Sequence, residues 1–188
     1  MKVEVDTPSN SYWIIKVYPF GVLVLAIVLN LVFGINPVQI ATPSKEFIGL
    51  LAFSATVLVI NHSWIMTVTE LTRNRYKIFA SPEEQSASGH KKFDYSAKGL
   101  LEVERCLNTH RNTTENVVHY ILLVAIISIV SPGQLASWFW VLMFPVARLG
   151  YSYSYFTGRD NLRGLFMSLS LLSIYGMAAY LVLGFTFY

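Results

Sequence analysis

The chain has 188 residues, 54% of them hydrophobic and 13% charged, a formal net charge of +3 and a mean hydropathy of +0.48. That balance is unusual for a soluble domain and typical of a chain that crosses a bilayer several times. The small, dispersed positive charge argues against nucleic-acid binding, and the single cysteine, Cys106, excludes an intrachain disulfide.

Five apolar segments follow in order. The first, Tyr12–Ile35, carries Lys16 and Pro19 near its start. Glu4 and Asp6 flank it beside a single Lys2, and no small-residue cleavage site follows, so a retained membrane helix is expected over the alternative of a secretory signal. The second, Phe47–Thr69, carries Asn61 and His62. The third lies within Val103–Val130, whose purely apolar part, Tyr120–Val130, is too short for the roughly 20 residues that a crossing needs. Because Pro132-Gly133 stops it on one side, this helix must reach back through His119, Glu115, Asn112 and Arg111. The fourth, Leu135–Phe156, carries Arg148, and the fifth is Gly164–Tyr188. None shows the period-2 alternation of barrel strands, so the expected fold class is all-α, a polytopic membrane bundle.

Charge in the connections sets an expected topology. The long polar stretch at 72–102 holds Arg73, Arg75, Lys77, Lys91, Lys92 and Lys98, and the last loop holds Arg159 and Arg163, whereas the other two loops hold only Lys45. The positive-inside rule puts the two basic loops in the cytosol, with the N-terminus there and Tyr188 opposite.

Two polar stripes run through apolar surroundings. Glu104, Asn108, Arg111/Asn112, Glu115 and His119 recur at helical intervals, and Tyr151, Ser152 and Tyr155 follow Arg148 at i+3, i+4 and i+7. A charge near the bilayer centre costs about 2.5–3.5 kcal/mol even on a lenient scale, so such groups face a partner, a cavity or a ligand. Glu115 is the obvious partner for Arg148. One carboxylate cannot neutralise both Arg111 and Arg148, which points to a bound anionic ligand. Basic residues at helix ends, and Asn61 with His62, read first as anchors and interhelical hydrogen-bonding groups. The histidines and Cys106 lack metal-ligand spacing, and Cys106 reads as packing.

The stretch VERCLNTHRNTTEN resembles the signature of the membrane-associated eicosanoid and glutathione metabolism (MAPEG) superfamily, a Glu-Arg pair before a His-x-Asn-x-x-Glu-Asn core. LTRNRYKIFASPEE (Leu71–Glu84) and ARLGYSYSYF (Ala147–Phe156) add further matches. The resemblance is to the branch of microsomal glutathione transferase and microsomal prostaglandin E synthase. It implies a four-helix membrane domain over 47–188 and an extra helix in an N-terminal extension, 1–46. It also implies a homotrimer in the endoplasmic reticulum or the mitochondrial outer membrane, with glutathione bound between subunits near the cytosolic face. Glutathione contacts would be Arg73, His110, Arg111, Asn112, Glu115, Arg148 and Tyr155, and Arg163 would stabilise the thiolate.

Four positions depart from the family. Asn108 stands where arginine is common, Gly164 where the prostaglandin synthase has serine, Met167 near an expected tyrosine, and Glu84 in place of an aspartate. All but the first bear on thiol activation or isomerisation, and they favour a general glutathione transferase and peroxidase acting on hydrophobic electrophiles or lipid hydroperoxides. Prostaglandin H to E isomerisation, a non-catalytic lipid-binding scaffold and, without the family, a small transporter are the alternatives. A transporter is disfavoured because no inverted repeat is visible.

Overall fold

A computed structural model describes residues 9–89, 95–130 and 132–187. Among them are six helices: α1 (Ser9–Phe33), α2 (Lys45–Tyr76), α3 (Pro82–Ser88), α4 (Ala97–Ile129), α5 (Gln134–Phe156) and α6 (Asp160–Phe187). Lys91, Lys92 and Tyr188, used in the topology argument, lie outside the described residues. The five expected segments correspond to α1, α2, α4, α5 and α6. Four of these, α1, α2, α4 and α6, are long and apolar enough to cross a membrane. The fifth, α5, has 23 residues, about 35 Å at 1.5 Å per residue, so it too is long enough. It carries Arg148 and a run of tyrosines, and it packs against α1, α2, α4 and α6. The chain is a multi-pass integral membrane protein.

Capping explains the boundaries. Ser44 and Ser96 stand at the N-caps of α2 and α4, accepting from the amides of Phe47 (3.2 Å) and Gly99 (3.1 Å). Lys77 ends α2 in the left-handed region, its amide turned back to the Arg73 and Asn74 carbonyls. With 32 and 33 residues, α2 and α4 outrun a 30 Å hydrocarbon layer and carry their basic ends beyond it. The polar connection is not featureless. Ser81 accepts from Glu84 N at 3.2 Å, and the Glu84 carboxylate accepts from Ala80 N at 3.1 Å, a reciprocal cap that starts α3. Beside it, backbone and Ser81 hydrogen bonds hold the Glu83 carboxyl below its ordinary value.

Pro145 inside α5 organises the bundle centre. It has no N–H for the Val141 carbonyl four residues back. That carbonyl is taken up across helices by the Tyr120 hydroxyl (3.0 Å) and the Ser54 hydroxyl (3.4 Å). On the other side Ser173 donates to the Trp140 carbonyl at 2.6 Å. Gly176 lets α6 lie against the Trp140 ring, where a Cβ would come within 2.3–2.5 Å of ring atoms.

The extra helix α1 runs parallel to α6, tied by Tyr18 to Ser168 (2.7 Å) and by Asn30. Asn30 is wholly buried, donates to the Gly176 carbonyl at 2.8 Å and accepts from Trp140 Nε1 at 2.7 Å. At the end away from the basic loops, Ile40 and Val130 form an isolated bridge that joins the two weakly charged connections. At the other end Arg105 lies under Gly158, so the two basic connections share one face of the bundle.

Candidate functional site

Arg148 lies one turn past Pro145 on α5, with no exposed surface. Its Nη2 donates to Asn112 Oδ1 at 2.9 Å and Thr113 Oγ1 at 3.0 Å on α4. The guanidinium also rests 4.3 Å from the Tyr151 ring centre, a cation–π contact. Glu115, the partner expected from charge alone, is exposed on α4, and no carboxylate among the described residues pairs with Arg148. The difference is rotational. Thr109, Thr113 and Tyr120 turn inward on α4, which leaves Arg111 and Glu115 on its outer side. Nε and Nη1 of Arg148, both amide atoms of Asn61 and the Ser152 hydroxyl are buried without partners. Ser152 lies one turn beyond Arg148 on α5, and Asn61 lacks the interhelical hydrogen bond expected of it.

From Arg148 the contacts continue towards the basic end. Tyr151 and Tyr155 lie 5.6 Å apart between ring centres, and the Arg163 guanidinium sits 5.1 Å from the Tyr155 ring. Arg163 also pairs with Asp160 at 3.1 Å and remains 42% exposed. The structure thus joins Asn112, Arg148, Tyr155 and Arg163 into one ladder spanning α4, α5 and α6. Tyr151, the rung between the two arginines, was visible only as part of the i+3 stripe.

The other four candidates stand apart from this ladder. Arg73, at the end of α2, binds Glu70 at 2.9 Å. His110 meets His62 edge to face at 5.1 Å. Arg111 donates to Asn108 Oδ1 at 2.7 Å, so the unusual asparagine orients the arginine where a second cation would repel it. Arg111 and Glu115 face outward, with no described element of this chain over them.

The departures also have local explanations. Glu84 is engaged in the α3 cap. At Gly164, beside Arg163, a Cβ would meet nothing within 4 Å, so a hydroxyl-bearing side chain would fit.

With this geometry in view, comparison with known proteins decides the family. The MAPEG family profile matches residues 50–183. The chain belongs to the MAPEG family. The match takes in α4, α5, most of α2 and most of α6, and leaves α1 outside. Among curated relatives, prostaglandin E synthase of Homo sapiens is 31% identical over 101 residues, 54% of this chain and 64% of that protein. The Rattus norvegicus prostaglandin E synthase is 31% identical over 109 residues, 58% of this chain and 69% of its own length. The Equus caballus protein is 28% identical over 119 residues, 63% and 76% respectively. The human alignment thus covers just under two thirds of its relative. In this MAPEG chain, the ladder and the outward α4 stripe both fall inside the matched region.

Proposed function

We propose that the chain is an integral-membrane, glutathione-dependent enzyme in which glutathione sits between copies of the chain, assembled as a homotrimer. One observation carries the proposal. The α4 stripe with Arg111 and Glu115 faces away from its own bundle, while the tyrosine–arginine ladder on α5 and α6 leads to a half-exposed Arg163. Charged side chains on the outer face of a membrane helix need cover, and a neighbouring copy with a zwitterionic tripeptide between provides it.

Glutathione carries two carboxylates and one ammonium. Arg73 and Arg111 suit the carboxylates and Glu115 the ammonium, with His110, Asn112 and Tyr155 adding polar contacts. Arg148 is fully enclosed, so its part runs through Asn112, whose side-chain carbonyl it holds. Arg163 supports the thiolate. A thiol of ordinary pKa near 8.5 is about 3% ionised at neutral pH, and only the thiolate is a good nucleophile. A guanidinium beside the sulfur, in a site shielded by Tyr155, lowers that pKa. The extension 1–46 adds α1, packed on α6, to the catalytic domain 47–188.

The first reaction assigned is transfer of glutathione to hydrophobic electrophiles, with reduction of lipid hydroperoxides, substrates arriving from the bilayer. A second reading, prostaglandin H to E isomerisation, is favoured by the names of the curated relatives. Against it stand the cap role of Glu84 and the missing hydroxyl at Gly164. Detergent-purified protein given glutathione with either a model aryl halide or prostaglandin H separates the two. Conjugation of the halide is expected. Prostaglandin E formation without conjugation would support the isomerase, and glutathione binding with neither product would leave a scaffold.

A further inference from the structure

The Glu-Arg element and the second arginine of LTRNRYK play no part in the ladder, yet the structure brings Arg105 and Arg75 to one hollow. A cavity of about 350 Å³ opens between α2, α4 and α5 at the basic end of the bundle. We propose that it seats the phosphate of an anionic membrane lipid, a second site separate from the one assigned to glutathione. None of the eight residues assigned to glutathione lines it.

Arg75 from α2 and Lys98 and Arg105 from α4 line the cavity, against the single carboxylate of Glu102. That carboxylate pairs with Arg105 at 3.8 Å and offsets one of the three positive charges, so the cavity keeps a net positive charge. A lone basic residue at a helix end extends to the headgroups by itself. Here three of them, from two helices, surround one concavity, and the volume lies in the range of small-molecule sites.

The shape of the cavity follows from two glycines. Gly99 allows the start of α4 to approach the Tyr76 side chain, where an added Cβ would fall 2.8 Å from Tyr76 Cβ. Gly158, in the left-handed region at φ +68°, turns the α5–α6 connection over Arg105, whose Nη1 would be 3.7 Å from a Cβ there. Phosphate groups in such a cavity meet guanidinium donors that match their oxygens.

The cavity's amphipathicity selects a lipid over a soluble phosphate. Val68 and Phe156 line the same cavity beneath the cations. One helical turn further into the membrane on α2, Trp64 packs its ring 5.6 Å from Phe156 and stays partly exposed. The apolar wall therefore runs from the charged rim down the Val68–Trp64 face, the direction an acyl chain takes from its headgroup. Basic pockets between membrane helices at the positively charged side are suited to anionic headgroups.

The test uses the full chain in a neutral detergent. Its thermal unfolding is followed while dihexanoyl phosphatidic acid, dihexanoyl phosphatidylcholine or inorganic phosphate is titrated. A saturable rise in Tm is expected with phosphatidic acid, with little from the other two. Arg75 and Lys98 are exposed, so Arg75→Gln and Lys98→Gln leave the fold intact. Each weakens the midpoint about fivefold, and both together about 25-fold, at roughly 1 kcal/mol per cation. Glutathione binding measured on the same variants stays unchanged, so failure here is distinct from failure of the glutathione assignment. No saturable shift, an equal shift with phosphatidylcholine, or unchanged midpoints in the variants would each overturn the proposal. A shift matched by inorganic phosphate would replace the lipid by a soluble phosphate and overturn the lipid assignment.

Discussion

Replacing Arg148 by methionine separates a binding role from a merely structural one. The side chain is fully buried and makes two charge-assisted hydrogen bonds, to Asn112 at 2.9 Å and Thr113 at 3.0 Å, leaving Nε and Nη1 unpartnered. Each such bond contributes about 1.5–3 kcal/mol. Against that stands the desolvation of an unpaired guanidinium, still several kcal/mol after relaxation. An apolar side chain of similar length removes the buried charge but leaves the Asn112 and Thr113 oxygens without their donor, so the two effects largely cancel and Arg148→Met is expected to unfold close to the wild-type temperature. Binding behaves differently. Asn112 loses the donor that fixes its carbonyl, and about 1.5–3 kcal/mol of lost organisation weakens glutathione affinity about 10- to 150-fold. Thermal unfolding and a glutathione titration on one preparation read both quantities. A variant destabilised by more than about 3 kcal/mol that binds glutathione normally would refute the positioning role.

Asn30→Leu leaves the buried Trp140 N–H without its acceptor and is expected to cost about 1–3 kcal/mol in thermal unfolding. It also exposes α1 to protease, and an unchanged digestion pattern would count against Asn30 as the lock. Tyr120→Phe removes one of two donors to the carbonyl freed by Pro145, at about 0.6–1.7 kcal/mol on the membrane scale, read as a lower Tm. Gly164→Ser sets a hydroxyl in open space next to Arg163 and replaces a helical glycine, so stability rises by about 0.5 kcal/mol. If a hydroxyl at this position aids isomerisation, prostaglandin H turnover rises with it; unchanged turnover would show that the departure at Gly164 does not set the reaction.

Much of this fold is legible in the chain because apolar length and helix stops are local properties. The five apolar segments and the break at Pro132-Gly133 need no partner to be read, whereas the Ser44 and Ser96 caps, and with Ser96 the start of α4 at Ala97 inside the polar stretch, were missed although their signals are local. The Ser81–Glu84 pattern was equally local, yet a seven-residue helix inside a polar connection was hidden by its apparent lack of an apolar face. What the chain does not display is how each helix is turned towards its neighbours. Spacing puts Arg111, Asn112 and Glu115 close together on α4, but only packing decides that Asn112 and Thr113, and not Glu115, meet Arg148. The stretch WVLMFPVARLG contains Pro145, but not which hydroxyls would find the carbonyl it frees. Tyr151 shows the same limit: its i+3 spacing from Arg148 was plain, while its place between two arginines required α6.

The thiolate itself gives the most direct test. If Arg163 lowers the pKa of bound glutathione by two units, the ionised fraction at neutral pH rises from about 3% to about three quarters. Mixing the full-length protein with glutathione should then give a near-ultraviolet thiolate band, lost in Arg163→Ala although glutathione still binds. Bound glutathione with no thiolate band in the wild-type protein, or an identical band in Arg163→Ala, would contradict the account.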